Sequence, residues 1–457
     1  MVLKMLFIFG TTNNKFHSMR IFLLLFLLNT AIANANETSL KIFTVDGLKV
    51  ILKPSNKEVI SVRLFIKGGN ANFSKQQEGI ESFMLKLMIE SGTTNRNKLL
   101  FNNEAEKIGT KFGSSGTYDF SEINMSCIKP FWNESWQLFA DAVMNPAFSE
   151  EEFKLLQQKT ITALKQKQSN PDEHLRNIAM QHAFEGRNYA KLPDGSPESI
   201  QNITVEDIKN HYKKVIGKNR CYLVVVGNIS QEDLTQKIKS DLSKLSFGTS
   251  FLAEARKPIS EPDVFVEDRD IATNYIRGLM SAPQMSHPDG IVMRLAMSIL
   301  RDRFFVELRT KRSLTYAPQA SYAYLAITEP YSIIYASTQQ PKEALAVMID
   351  EINTIKSKGF LQSELDNEKQ SFLTQYYMNL QTASDQTYNL GIAELWGDAN
   401  IAERFSESLS AINLKDLNRV FDKYTNAIRW TYLGKKDQVK QEDFKQTKSV
   451  EAKYKPY

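Results

Sequence analysis

The chain has 457 residues, 42% of them hydrophobic and 24% charged, with a net charge of +5. That is ordinary globular composition, and the length suits two or three domains. No basic cluster with interleaved aromatics is present, which argues against a nucleic-acid partner.

Residues 1–35 read as a targeting segment. Met19-Arg20 precedes the apolar run IFLLLFLL and then NTAIANA, a positive start, a short apolar core and a small-residue cleavage site. Cleavage is expected after Ala35, with Met19 the better candidate for the start. The run is too short for a transmembrane helix. No Cys follows it for a lipid anchor, and no later run would span a bilayer. An exported, soluble, periplasmic chain is expected. Only Cys127 and Cys221 are present, each inside a strand-like apolar stretch. A disulfide between them is permitted outside the cytoplasm, but two buried free thiols are the plainer reading.

The mature chain opens with LKIFTVDGLKVILKP, alternating on both sides of Asp46-Gly47 as a hairpin does. VISVRLFIKGG is a further strand. An amphipathic helix follows over 79–93, GIESFMLKLMIESGT, with Ile80, Phe83, Met84, Leu87 and Met88 on one face and Gly92 as its stop. FGSSGTYDFSEINMSCIKP reads as a second hairpin. Helices are expected over 131–144, from Ser149 to about 170 with Glu152 completing a capping box, over 171–184 and over 204–215. CYLVVVG is a buried strand. Residues 246–262 read as a linker. Strands then resume with VFVEDRD and ATNYIRGLMSA, followed by a long helix over 288–310. TYAPQASYAYLAIT and YSIIYAST form a hairpin whose edge could accept a peptide strand. Helices over 342–356, 363–382, 384–396 and 414–424 and the strand AIRWTYLG complete the pattern.

The pattern occurs twice. ITVEDIKNHYKKV from Ile203 and INLKDLNRVFDKY from Ile412 share apolar and charged positions, and each leads to a strand ending in Gly227 or Gly434. FSEEEF and FLQSEL match upstream in the same order. A tandem duplication of one α+β domain follows. The expected organisation is a targeting segment 1–35, a first α+β domain 36–245, a linker 246–262, a second domain 263–440 and a polar tail 441–457.

The helix from Gly79 resembles the active-site helix of the pitrilysin/insulinase zinc peptidases, in particular their small processing-peptidase-like members. There an H-x-x-E-H motif supplies two zinc ligands and a general base. The corresponding positions are Ser82, Leu85 and Lys86, and the family's third ligand falls at Ala163. Ser is a poor zinc ligand, Leu accepts no proton, and a protonated Lys repels a dication. The resemblance therefore implies a degenerate zinc motif, with no metal and no catalytic residue in this chain. It also implies the family's fold: two homologous domains, each a mostly antiparallel sheet covered by helices, forming half of a clam-like chamber. In FVELRTKRSLTYAP, Arg309 and Tyr316 match an Arg–Tyr pair that binds substrate backbone near the zinc of the opposite half. The Gly-rich loop that some zinc-less members carry before this point is absent from SILRDRFFVEL.

Other candidates are weaker. His174 and His182 lie two helical turns apart, too far to share a metal, and are expected at the solvent surface. Lys86 reads as a surface Lys rather than a catalytic one. No Ser/His/Asp order is defensible. Three readings follow. The first is a non-catalytic subunit that gives Arg309 and Tyr316 to a zinc-bearing homologous partner. The second is a homodimer that binds extended peptides without metal or hydrolysis. The third, a peptidase with a metal site elsewhere, finds no ligand set among five His.

Overall fold

Strands β1 (Lys41–Val45) and β2 (Leu48–Pro54) form the first hairpin. Its turn residues Asp46 and Gly47 have φ of 48° and 90°, and Asp-Gly suits a turn with two positive φ angles. The structure, a computed structural model, describes residues 39–445; the targeting segment and the end of the tail lie outside them. The first half continues with β3 (Val59–Lys67), α1 (Ile80–Glu90), β4 (Lys111–Gly116) and β5 (Phe120–Ile128). Then come α2 (Trp132–Met144), α3 (Glu150–Ser169), α4 (Pro171–Ala183), α5 (Val205–Val215) and β6 (Cys221–Gly227). Ser149 caps α3 by accepting from the Glu152 amide, and Thr204 and Asp207 form a reciprocal box on α5.

Residues 245–262 carry no regular element. The second half holds β7 (Asp263–Asp268), β8 (Asn274–Ser281), α6 (Asp289–Phe304), β9 (Gln319–Tyr322) and β10 (Tyr331–Thr338). It ends with α7 (Pro341–Lys358), α8 (Gln362–Asn379), α9 (Ala383–Leu395), α10 (Leu414–Tyr424) and β11 (Arg429–Gly434). The sheets run β1-β2-β6-β3-β5-β4 and β7-β11-β8-β10-β9. Apart from β1, the two orders coincide. In each, one pair is parallel, β2 with β6 and β7 with β11, and the other pairs are antiparallel. The repeat in the sequence is thus a repeat of the fold, α+β in both halves.

Each half covers one face of its own sheet. The other face is covered from across the molecule. Helix α4 lies on β8 and β11 of the second sheet, and α9 lies on β3 and β6 of the first. The periodicity explains the need: every residue of β6 is buried, so both its faces require cover. Val225 and Leu223 face α1's side, while Val224 and Val226 pack with Leu390 and Ile392 of α9. Burying a side chain such as Leu390 stabilises by about 1.5–3 kcal/mol.

Polar contacts fix both helices. Tyr222 donates to the Gly391 carbonyl at 2.8 Å. Gly391 is required there, because a Cβ would fall 2.1 Å from the Phe65 ring. On α4, His174 meets Glu267 at 2.8 Å and His182 meets Asp263 at 3.1 Å. The two histidines, expected at the solvent surface, are instead partly buried and dock α4 on β7.

Three further details depart from the sequence reading. The long helix over 288–310 is α-helical only to Phe304 and continues as a π-helical segment, Phe305–Thr310. The strand before β10 is limited to Gln319–Tyr322, because the Ile327 and Thr328 amides donate to Asp119 of the first half instead of a ladder. The polar tail begins later than 441, since Phe444 is buried against Trp430 and Tyr432.

Candidate functional site

Gly79 opens α1 in the left-handed region, with φ of 83°. A Cβ there would lie 2.5 Å from the Asp194 carbonyl oxygen, so glycine sets how closely α1 approaches the 193–195 loop. Ser82, one turn on, donates to the Pro193 carbonyl at 2.8 Å. Ser82, Lys86 and Ala163 line one cavity of about 150 Å³ between α1 and α3. Leu85 does not reach it and is wholly buried in the core. The fold thus brings together three of the four positions singled out in the sequence.

What converges there is unsuited to a dication. The Ser82 hydroxyl is engaged. Lys86, Lys159 and Lys167 line the cavity against two acids, Glu90 and Asp194, and Asp194 pairs with Lys167 at 2.8 Å. Among the described residues, no group of three or more His, Cys, Asp or Glu could hold a metal ion. Cys127 and Cys221 are free and buried. Burial pushes the Cys221 thiol up to about 12, which leaves no thiolate for nucleophilic chemistry at neutral pH.

Beside this cavity lies a network that sequence reasoning missed. Glu81, 2% exposed, accepts from Ser121 Oγ at 2.6 Å and Asn72 Nδ2 at 2.8 Å, and meets His211 Nε2 at 2.9 Å. A carboxylate satisfied by three partners is tolerable in the interior. It locks α1 to β5 and α5.

Arg309 and Tyr316 stand side by side. The Arg309 guanidinium lies 4.3 Å from the Tyr316 ring centre and 4.9 Å from that of Phe305. The π-helical segment places Arg309, and the chain then reverses through Ser313, with φ of 52°. Tyr316 is 78% exposed. The neighbouring Glu307 is occupied by Lys311 and Arg312, each at 2.6 Å. Neither Arg309 nor Tyr316 lines the α1 cavity.

The second half has its own version of that cavity. Arg294, Ser298 and Gln375 follow Ser82, Lys86 and Ala163 by the same offset that separates Phe148 from Phe360. They line a larger space of about 440 Å³ between α6 and α8. Arg294 is caged by Tyr324 and Phe372, both at 5.0 Å, and Phe405 at 5.9 Å. An arginine inside the apolar run IVMRLAMSIL was the available signal.

Two repeated α+β halves, with Ser82, Lys86 and Ala163 meeting between α1 and α3, define the two-domain scaffold of a metallopeptidase-like protein. The chain belongs to the insulinase (peptidase M16) family. Residues 49–192 match "Insulinase (Peptidase family M16)", and residues 202–372 match "Peptidase M16 inactive domain". It is 22% identical over 377 residues to "Non-peptidase homolog YmxG" of Helicobacter pylori, covering 80% of this chain and 86% of that one. It is 25% identical over 338 residues to an "Uncharacterized zinc protease" of Rickettsia bellii, covering 72% and 79%. Among solved structures, a peptidase M16 inactive domain from Pseudomonas fluorescens superposes with a TM-score of 0.79 at 16% identity, covering 87% of this chain and 98% of that one.

Proposed function

We propose that this chain is the non-catalytic subunit of a two-subunit zinc peptidase of the periplasm. In this reading it supplies Arg309 and Tyr316 to the active site of a homologous partner, and the partner carries the zinc. The observation that carries it is the pairing of an exposed Tyr316 with a stacked Arg309, in a chain whose own cavity at Ser82, Lys86 and Ala163 is lined by lysines. Stacking holds the guanidinium flat while leaving its N–H groups free to donate. Donors fixed where charge develops on a peptide carbonyl are worth about 10²–10³ in rate. Similarity to the relative named a non-peptidase homologue supports the non-catalytic part of this role. No helix among the described residues is long and apolar enough to cross a membrane, which suits an exported, unanchored subunit.

The test is a pull-down of the tagged mature chain from its own periplasmic extract, with the eluate assayed on a quenched peptide. Cleavage should be chelator-sensitive, should follow a co-eluting homologue with an intact H-x-x-E-H, and should fall about 10²-fold with Arg309→Ala. A chain that binds peptide, recovers no homologue and cuts nothing would instead favour a metal-independent peptide-binding homodimer.

A further inference from the structure

Both sheets carry an arginine at the same place, buried in the first half and half-buried in the second. Arg63 on β3 and Arg277 on β8 occupy corresponding central strands, each facing the helix contributed by the other half. Arg63 is fully partnered: Glu122 at 2.5 Å, Ser384 at 2.9 Å and Thr387 at 3.1 Å. Glu122 stands two residues before Asn124, the register partner of Arg63 on β5. On β10 the register partner of Arg277 is Tyr335, and two residues before it stands Ile333. The second half has no carboxylate where the first has one.

Nothing replaces it. No hydrogen bond or ion pair reaches Arg277 from the described residues, and its Nε is sealed from water without a partner. The other side chains felt by it are Tyr118, Tyr331, Tyr335 and a second cation, Arg176. Burial raises the pKa of all three tyrosines, so their hydroxyls stay protonated and neutral. Asp172, the nearest acid on α4 to Tyr335, accepts from that tyrosine. A half-buried guanidinium with a sealed, unpaired Nε is costly, and its remaining N–H groups are left to whatever fills the space beside it.

Arg277 also lines a cavity. A space of about 570 Å³ lies between the end of β4, α4 and the β9–β10 hairpin, with Tyr118, Tyr331 and Ile333 among its walls. Arg176, Lys167 and Arg277 face only two lining carboxylates, and both are used: Glu173 by Arg176 at 2.6 Å and Asp194 by Lys167 at 2.8 Å. The volume is that of a small-ligand site, aromatic in its walls and positive in balance.

We infer that this cavity is a carboxylate-binding site anchored by Arg277, whose planar fork takes both oxygens of the ligand while the tyrosines enclose its apolar part. The carboxylate is either the C-terminus of a short peptide or a free aromatic acid. The peptide source rests on the reading of the chain as a peptide-handling subunit; the free-acid source does not.

The experiment is calorimetric titration of the mature chain alone with three probes: a tetrapeptide ending in a free Phe carboxylate, its C-terminal amide, and phenylacetate. The free-acid peptide should bind at least tenfold more tightly than the amide, and Arg277→Met should abolish the difference. Binding of phenylacetate but of neither peptide would keep the carboxylate site and assign it to free acids. Ile333→Glu guards against a variant that merely fails to fold. It should supply the internal partner that Glu122 supplies to Arg63, raise the melting temperature and abolish carboxylate binding. Equal affinity for acid and amide, or undiminished binding by folded Arg277→Met or Ile333→Glu, overturns the proposal. Arg309→Ala should leave all three titrations unchanged, so a failed titration says nothing against the subunit reading, and a failed pull-down says nothing against this site.

Discussion

The two halves treat one arginine position differently. Arg63 has Glu122, Ser384 and Thr387, whereas Arg277 has no partner. The helical cavity differs as well: about 150 Å³ beside α1, about 440 Å³ beside α6. At these two places one framework, used twice, is tighter in the first half than in the second. At the arginine the difference comes down to one residue, Ile333 where the first half has Glu122.

The comparison breaks most sharply at Glu122. Glu122→Gln leaves Arg63 buried without its charge partner, and the expected loss is about 3–5 kcal/mol in denaturant unfolding. Arg277→Met removes a cation that has no partner and should cost no stability. If the two substitutions cost the same, the halves do not differ as described. Next is the helix exchange. Gly391→Ala drives a methyl into the Phe65 ring and should cost about 1–3 kcal/mol. At the corresponding place on α4 stands Ala179, wholly buried without that clash.

Helix starts give a smaller effect. Ser149 caps α3, while its counterpart before α8 is Leu361, 60% exposed and without a side-chain acceptor. Ser149→Ala should cost about 1 kcal/mol, and Leu361→Ser should gain up to about that amount. The smallest effect is a pH dependence. Burial, aided by Arg429 and opposed by Asp263, holds His182 below the usual histidine range. The unfolded chain takes up this proton near pH 6.5, and the folded chain only at lower pH. The contribution is therefore present above about pH 6.5 and lost as pH falls towards the folded value. Between pH 7.5 and 5.5 the melting temperature of the wild type should drop further than that of His182→Gln. On α9 the corresponding residue is Glu394, which pairs with Lys49.

The duplication was readable in the sequence because two separate segments matched in the same order. The capped start of α3 was readable because Ser149 and Glu152 are local. The exchange of α4 and α9 was not. Periodicity says that a helix has a buried face, not which sheet receives it, and so His174 and His182 passed for surface residues. The Glu81–His211 pair spans 130 residues, beyond any local pattern. The convergence of Ser82, Lys86 and Ala163 followed from a family resemblance and was met in space, but Leu85 turned into the core. The π-helical turn at Arg309 was invisible because FVELRT has the spacing of an ordinary helix end.

The traded helices have a consequence for how the molecule could be divided. The stretch around Leu252, 90% exposed, is an open target for a protease. A cut there would sever the chain but not the particle, because each fragment still lends the other its lid. Expressed alone, either fragment would present a bare sheet face and should aggregate; expressed together, they should recover one another. A single-copy ancestor would have met the same need by trading its helix with a twin, so the fused chain carries a dimer inside it.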